Sequence, residues 1–86
     1  MGYVYILQSE KNGSYYIGST NDLVRRLREH NSGHTQSIRY VLPMKIVFNQ
    51  KYPLLSDARR VELRLKKLKS RSIIVRVIKD KFIKIL

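Results

Sequence analysis

The sequence predicts an α/β fold, a small three-stranded antiparallel sheet flanked by three helices in the order β-β-α-β-α-α. Three observations predict it. Two runs rich in Tyr, Ile and Val flank an Asn-Gly turn, a third such run lies at residues 44–51, and the other long segments carry apolar residues at helical spacing. With 86 residues, of which 43% are hydrophobic, one modest core and one domain over residues 1–86 are expected.

The first two strands are predicted to form an antiparallel hairpin. Residues 2–8 and 14–19 are rich in β-branched and aromatic residues, which strands favour. Between them lies Asn12-Gly13, the strongest short signal for a hairpin turn. The hairpin therefore brings Tyr5 and Tyr16 onto neighbouring strands.

Three helices are predicted from capping residues and helical spacing. The first follows capping side chains at residues 20–22 and ends at Gly33, which suits the left-handed position after a helix. Residues 34–43 are expected to be irregular. Ser56 is expected to cap the second helix, and residues 70–72 to form a short break before a third helix over 73–86. The predicted apolar stripe of the second helix is Ala58, Val61, Leu65 and Leu68, and that of the third is Ile73, Ile74, Val77, Ile78, Phe82 and Ile85.

The charge of the chain points to a polyanionic partner. Eighteen Lys and Arg residues against six Asp and Glu give a formal net charge of +12, and most of the excess lies in residues 44–86. Because self-repulsion of this size destabilises a small folded domain, an anionic partner is its natural explanation. A basic domain fits the phosphate backbone of nucleic acid, with ribosomal or membrane polyanions as the alternative.

The composition also excludes several kinds of site. The chain has no cysteine, which excludes disulfides, thiolate catalysis and cysteine-based zinc sites. Its two histidines, His30 and His34, cannot form a structural zinc site without carboxylates. No apolar run is long enough to cross a bilayer, and Met1 leads directly into strand-like sequence, so no signal peptide is expected. A cytoplasmic protein without a membrane partner is therefore expected.

Residues able to carry chemistry occur at defined places in these elements. The opening hairpin contains Tyr-Val-Tyr at residues 3–5 and Tyr-Ile-Gly at residues 16–18. The next helix carries Arg26 and His30, whose spacing of four places both on one helical face. Glu62 lies beside the apolar stripe of the second helix, within a strongly basic stretch.

In this order the motifs resemble the GIY-YIG nuclease family. The matching pattern is Tyr-Val-Tyr, Tyr-Ile-Gly-Ser-Thr, Asp-Leu-Val-Arg-Arg-Leu-Arg-Glu-His-Asn and then a helix containing Glu62, and it extends from Gly2 to about Ile78. The chain is most similar to small stand-alone members related to the nuclease domain of bacterial excision repair. Tyr3 stands where the family name has a glycine. The resemblance implies a DNA endonuclease, a phosphodiester hydrolase acting in DNA repair.

The resemblance also implies a role for each matching residue. Tyr5 and Tyr16 match the two motif tyrosines, of which one deprotonates the attacking water and the other positions the site. Arg26 matches the catalytic arginine, and His30 matches a position that assists proton movement near the tyrosine. Glu62 matches the single carboxylate that holds one divalent metal, Mg²⁺ or Mn²⁺.

These residue types suit the hydrolysis of a phosphodiester. Charge grows on the phosphoryl and leaving oxygens, and one preorganised donor stabilises it by ~3 kcal/mol. The guanidinium of Arg26 matches two phosphate oxygens, and Mg²⁺ needs few protein ligands because it keeps several waters. A tyrosine pKa of ~10 is high for a base, so Arg26, the metal and His30 are expected to lower it or to relay its proton. Gly18 is expected to let the chain turn close to the substrate.

Each residue taken alone also has an ordinary structural explanation. These explanations are a cross-strand aromatic pair for Tyr5 and Tyr16, an ion pair with Asp22 for Arg26, the helix dipole for His30, and an ion pair with Lys66 for Glu62. Four coincidences in the family's order are required if all of them hold, so the shared site is the favoured interpretation.

The remaining predictions concern partners. Candidates for contacting the nucleic-acid backbone are Arg25, Arg28, Arg39, Lys45, Arg59 and Lys66. DNA is favoured over RNA. Two alternatives stay open: a nucleic-acid-binding module of the same fold without turnover, and a subunit of a repair or recombination complex in which a protein partner supplies specificity.

Overall fold

A computed structural model describes residues 1–83 of the chain. Lys84, Ile85 and Leu86, the end of the predicted third helix, lie outside the described residues. The elements are strands β1 (Gly2–Ser9), β2 (Tyr15–Thr20) and β3 (Met44–Tyr52), helices α1 (Leu23–Asn31), α2 (Leu55–Leu68) and α3 (Arg71–Asp80), and a short 3₁₀ helix (Gln36–Val41). The predicted antiparallel sheet with three flanking helices is confirmed.

The sheet places β1 at the centre, in the order β2-β1-β3, with both pairings antiparallel. Tyr5 lies opposite Gly18 and Leu7 opposite Tyr16 in the β1–β2 register. The two tyrosines therefore lie on neighbouring strands, as the hairpin predicted, and are diagonal neighbours on one face. Since β2 has a neighbour on one side only, it forms an edge of the sheet.

Two apolar clusters, one on each face, hold the sheet between its helices. On one face α2 and α3 cover a cluster of buried residues that includes Val4, Ile6, Ile17, Phe48, Ala58, Val61, Leu65 and Val77. On the other face α1 and the 3₁₀ helix cover Tyr5, Leu7, Ile38 and Met44. Alternate side chains of β1 thus enter different clusters, as the pleat of a strand requires.

A glycine sets how closely α2 approaches β1. A Cβ added at Gly2 would lie 2.6 Å from the Cα of Leu55 in the first turn of α2. No side chain larger than hydrogen fits this approach, so Gly2 fixes the position of α2 on the sheet. That position carries Glu62 to the side of β2.

The helix boundaries differ from the sequence prediction at three places, which are the starts of α2 and α3 and the end of α3. Ser56 does not cap α2, because Leu54 takes the N-cap position and makes no side-chain cap hydrogen bond. Helix α3 begins earlier than predicted, since the Ser70 hydroxyl accepts a hydrogen bond from the backbone N–H of Ile73 and caps it. The 3₁₀ helix lies in the segment that was expected to be irregular.

The predicted third helix to residue 86 is wrong at its C-terminal end. Helix α3 stops at Asp80, and Lys81 adopts the left-handed conformation with φ of 59°. Beyond it the backbone N–H of Ile83 donates to Oε1 of Gln50 at 2.8 Å, and Ile83 is buried while Phe82 is 54% exposed. The chain leaves the helix because Ile83 packs and bonds better against β3.

Two smaller predictions concern Leu68 in α2 and Gly33 after α1. Leu68, predicted in the apolar stripe of α2, is 43% exposed, so the buried stripe ends at Leu65. Gly33 has a φ of +86°, as predicted for the residue after the first helix.

Within residues 1–83 no helix is both long and apolar enough to span a membrane. That the whole chain forms one domain stays a prediction.

Candidate active site at the edge strand

The predicted site residues converge on β2 from both faces of the sheet. Tyr5, Tyr16, Arg26 and His30 lie on the face that α1 covers, and Glu62 reaches β2 from α2 on the other face. They meet at β2 because it is the edge of the sheet, where side chains from opposite faces can approach one another.

On the α1 face, Tyr5 and His30 form a buried hydrogen-bonded chain. The hydroxyl of Tyr5 lies 2.8 Å from Nε2 of His30, and Nδ1 of His30 lies 2.5 Å from the Thr35 hydroxyl. His30 is fully buried and Tyr5 is 3% exposed. Every polar atom of the imidazole therefore has a partner inside the protein, as burial of a polar ring requires. The helix-dipole explanation of His30 does not account for these contacts.

Burial governs the protonation of this pair. It raises the pKa of Tyr5 to about 12, although the nearby guanidinium of Arg26 acts in the opposite direction. It also lowers the pKa of His30 to about 4, and the positive charge of Arg26 adds to the effect. At neutral pH both groups are uncharged. Without a metal, desolvation at Tyr5 outweighs the attraction of the Arg26 guanidinium, and the expected relay of the tyrosine proton stays a prediction.

Gly18 makes room for the ring of Tyr5. A Cβ added at Gly18 would lie 2.2 Å from the Tyr5 hydroxyl oxygen and 2.3 Å from Cζ. The ring thus lies directly over the backbone of β2, and its hydroxyl continues to His30. The contact supplies a physical reason for glycine in the second motif that differs from the predicted turn near the substrate.

Tyr16 is the more accessible of the two phenols. It is half-buried, and its ring meets the His30 ring edge to face with centroids 5.1 Å apart. The Nζ of Lys66, from α2, lies 5.8 Å from the centroid of the Tyr16 ring. Tyr16 thus contacts groups from both faces of the sheet.

Arg26 projects from α1 toward a cleft at the end of β2. Its guanidinium pairs with the Glu29 carboxylate at 3.1 Å, and its side chain remains 35% exposed. The alternative explanation of Arg26, an ion pair with Asp22, does not hold, because the Asp22 carboxylate accepts from the backbone N–H of Arg25 and caps α1. The cleft is lined by Ser19, Thr20, Asn21, Arg25, Arg26, Leu55 and Arg59.

Glu62 faces this same end of the sheet. Its Oε1 accepts a short hydrogen bond from the Ser19 hydroxyl, and its Oε2 pairs with Nζ of Lys66 at 2.6 Å. Ser19 therefore links the carboxylate to the cleft that Arg26 lines. The negative charge of Glu62 also contributes to the raised pKa of Tyr5, behind the larger effect of burial. Glu62 therefore forms the ion pair with Lys66 that its ordinary structural explanation expects, and it also lies with the other candidate residues at β2.

The donor set around Glu62 fits a hard divalent cation. The carboxylate and the Ser19 hydroxyl offer oxygen atoms, which Mg²⁺ and Mn²⁺ prefer, and 17% of the Glu62 side chain is exposed. Among residues 1–83 no group of three or more His, Cys, Asp or Glu residues is placed to hold a metal. A cation here would thus depend on one carboxylate, with waters and a phosphate completing its shell, and Lys66 would have to move aside.

The basic residues named from the sequence divide by position. Arg25 and Arg59 line the cleft with Arg26, and Lys66 contacts Glu62. Arg28 is exposed on α1. Arg39 donates from Nε to the carbonyl of Gly33 at 3.0 Å, and Lys45 lies on β3, the edge of the sheet opposite β2.

Three site residues were not singled out from the sequence. They are Ser19, which holds Glu62; Thr35, which holds His30; and Glu29, which holds Arg26. The strand period offered a signal for Ser19. It lies two residues after Ile17, on the same face of β2, and so faces α2. Glu29 stands three residues after Arg26, a common helical pairing distance. Nothing in the sequence points to Thr35.

Known proteins are similar to this chain in sequence and in fold. Residues 1–74 match the model of the GIY-YIG catalytic domain. A UPF0213 protein of Streptococcus pneumoniae serotype 4 is 41% identical over 68 residues, covering 78% of this chain and 68% of that protein. A UPF0213 protein of Halobacterium salinarum is 35% identical over 69 residues, covering 79% of this chain and 88% of that protein. The solution NMR structure of a UPF0213 protein from Bacillus halodurans matches with a TM-score of 0.60 and 35% identity, covering 94% of this chain and 86% of that one.

The family match supports a nuclease type of function in general. GIY-YIG domains are typically endonucleases that bind nucleic acid and generally use a divalent metal. The match spans both tyrosine motifs, the first helix and the helix that carries Glu62, and the relatives cover most of the chain at more than 30% identity. The chain therefore belongs to the GIY-YIG family, together with the small UPF0213 proteins.

Proposed function

We propose that this protein is a metal-dependent endonuclease that hydrolyses phosphodiester bonds of DNA. The observation that carries the proposal is the convergence of Tyr16, Arg26 and Glu62 on one edge strand from both faces of the sheet. A phenol, a guanidinium and a carboxylate are the groups needed to take a proton from water, hold a phosphate and hold a cation.

Tyr16 is the proposed general base. It is the more exposed phenol, whereas Tyr5 is almost fully buried with a pKa raised to about 12 by desolvation. A base must reach the water whose proton it takes, which favours Tyr16. Lys66 lies 5.8 Å from the centroid of the Tyr16 ring, at the exposed side of the strand edge.

Tyr5 and His30 are proposed as positioning residues for Tyr16. The His30 ring contacts both tyrosine rings, with centroids 5.8 Å from Tyr5 and 5.1 Å from Tyr16. Tyr5 and Thr35 hold the two nitrogens of the imidazole. The edge-to-face contact of this fixed ring then holds the ring of Tyr16 in position. A neutral His30 can also accept a proton at one nitrogen and release one at the other.

Arg26 and Glu62 complete the proposed site. The Arg26 guanidinium can hold two oxygens of the scissile phosphate, and Glu29 orients it through their ion pair. Glu62, oriented by Ser19, would hold a divalent Mg²⁺ or Mn²⁺, which when bound supplies positive charge that stabilises the phosphoryl and leaving oxygens. Arg25 and Arg59 line the same cleft as Arg26. Their positive charges suit them to bind the phosphates next to the scissile one.

The proposed substrate is DNA rather than RNA, in a repair setting, and the alternative is a subunit of a repair or recombination complex in which a protein partner supplies specificity. The net charge of +12 and the cationic cleft support a polyanion. The lining of the cleft presents backbone-binding cations, which carry little sequence information. A weak sequence preference of the protein on its own is therefore expected.

Cleavage of labelled DNA by the purified protein, with and without Mg²⁺ or Mn²⁺, tests the proposal. Wild type should cut only with metal, and Glu62→Ala and Arg26→Ala should each lose about 10²-fold or more of the rate. Arg76→Ala is the matched control, because Arg76 is exposed on α3 and its substitution removes the same positive charge as Arg26→Ala. Cleavage unchanged in the first two variants would contradict the proposal, and salt-sensitive binding without any product would identify a binding module instead.

A further inference from the structure

A second cleft opens on the α2 face of β2, and no step of the proposed hydrolysis uses it. It lies between the start of β2 and the junction of α2 with α3. The residues on which its chemistry depends are Tyr15, Ile17, Lys66, Lys69, Arg71 and Ile74.

The cleft combines an apolar floor with a cationic rim. Ile17 is buried, and Ile74 and the ring of Tyr15 pack against the same cluster. The guanidinium carbon of Arg71 lies 4.9 Å from the centroid of the Tyr15 ring. Lys66 and Lys69 complete the rim, and the lining contains no acidic residue. An aromatic and apolar surface beside several cations complements a nucleotide, whose base is flat and apolar and whose phosphate is anionic.

The position of the cleft ties it to the candidate active site. Lys66 lines the cleft and also pairs with the Glu62 carboxylate at 2.6 Å. Tyr15 and Ser19 lie on the same face of β2, four residues apart, which is about 13 Å at the usual rise of a strand. An occupant of the cleft would therefore lie on the same face of β2 as Ser19 and would share Lys66 with Glu62.

We infer that this cleft binds one unpaired nucleotide next to the cleaved phosphodiester, with its base against Tyr15 and its phosphate on Lys69 and Arg71. The inference rests on the proposed nuclease function. It requires a single-stranded segment, because a base stacked and paired in a duplex cannot contact Tyr15. Since every base has a flat face, the cleft should accept any base.

Binding of a fluorescently labelled single-stranded DNA oligonucleotide in EDTA, measured by anisotropy, tests the cleft without cleavage. Tyr15→Leu should weaken binding about fivefold or more, because an aliphatic side chain cannot stack, whereas Tyr15→Phe should bind like wild type. Tyr40→Leu is the matched control, since Tyr40 is 83% exposed on the 3₁₀ helix. Lys69→Met should weaken binding more than Lys79→Met, which removes an exposed lysine from the last turn of α3.

Oligonucleotides with one abasic residue at successive positions locate the base that occupies the cleft. Wild type and Tyr15→Phe should lose affinity at one position, and in Tyr15→Leu that loss should disappear. Equal affinities of Tyr15→Leu and wild type, or an abasic penalty that persists in Tyr15→Leu, would overturn the inference while leaving the nuclease proposal intact. Absence of any oligonucleotide binding by wild type would also overturn the inference, whereas the nuclease proposal is decided separately by metal-dependent cleavage of labelled DNA.

Discussion

The two faces of the sheet hold the parts of the candidate site in different environments. On the α1 face, Tyr5 and His30 are buried and hydrogen-bonded to each other. On the α2 face, Glu62 and Lys66 form an ion pair whose side chains are 17% and 46% exposed. A buried neutral pair holds one geometry because losing a partner costs desolvation energy. An exposed ion pair contributes at most about 1 kcal/mol and can exchange partners easily.

This difference suits the two tasks that the proposed reaction requires. The buried side can hold the phenol of Tyr16 in place, because His30 cannot move without losing hydrogen bonds to Tyr5 and Thr35. The exposed side can release Lys66 and admit a cation or a phosphate at Glu62. Rigidity on one face and exchange on the other are therefore expected to give separable effects on stability and on activity.

The largest expected effect separates the two phenols. Tyr16→Phe should lower the single-turnover cleavage rate by about 10²–10⁴-fold while leaving stability nearly unchanged, because it removes the proposed base from a half-exposed position. Tyr5→Phe should lower the free energy of unfolding by about 1–3 kcal/mol, since Nε2 of His30 loses its buried partner, and should slow cleavage less. Rapid-quench kinetics and urea denaturation measure the two quantities. A larger loss of rate in Tyr5→Phe would transfer the role of base to Tyr5.

The next effect is a pH dependence of stability that originates on the buried face. Burial lowers the pKa of folded His30 to about 4, whereas the unfolded chain takes up that proton near its ordinary value of 6.5. Between these values the unfolded state binds more protons, so the free energy of unfolding should fall by about 3 kcal/mol as the pH falls from neutral to 4.

Denaturation curves at stepped pH values measure this dependence. The window above pH 4.5 is the most informative, because the pKa of Glu29, which its ion pair with Arg26 lowers from 4.5, affects stability only below it. His30→Gln should flatten the slope in this window, and His34→Gln, at an exposed position, should retain it. The same slope in wild type and His30→Gln would show that the buried imidazole is not its source.

A smaller loss of stability is expected from the contact between Gly18 and Tyr5. In Gly18→Ala the new methyl group would overlap the Tyr5 ring, which cannot turn away without breaking its hydrogen bond to His30. Overpacking of this kind lowers the free energy of unfolding by about 1–3 kcal/mol. Combining it with Tyr5→Leu, which removes the ring, should yield less than the sum of the two losses. Full additivity in urea denaturation would mean that the overlap is relieved elsewhere.

The smallest effect concerns the exposed face. Lys66→Met removes the cation now paired with Glu62, so Mn²⁺ should bind up to about fivefold more tightly, the equivalent of ~1 kcal/mol. Lys67→Met removes a neighbouring charge that does not line the Glu62 site, and its effect should be smaller. Electron paramagnetic resonance of free Mn²⁺ measures both without any cleavage. Equal affinities in the two variants would show that Lys66 does not compete for the carboxylate.

Local sequence was sufficient for most of the fold. Runs of β-branched and aromatic residues around Asn12-Gly13 predicted the hairpin, and apolar spacing predicted α1 and α2, because these signals depend only on neighbouring residues. The end of α3 was not predictable in this way. Helical spacing continued past Asp80, but the contact of Ile83 with Gln50, 33 residues away in the chain, decided where the helix stops.

For the candidate site, the sequence by itself determined which residues are candidates, and the tertiary structure decided where each of them lies and what it contacts. The order of motifs named Tyr5, Tyr16, Arg26, His30 and Glu62, because residue types and spacing are properties of the chain. Which phenol is buried, which groups hold Glu62 and His30, and where a second cleft opens depend on packing across β2. Burial and long-range contacts set protonation and access, and neither can be obtained from local spacing.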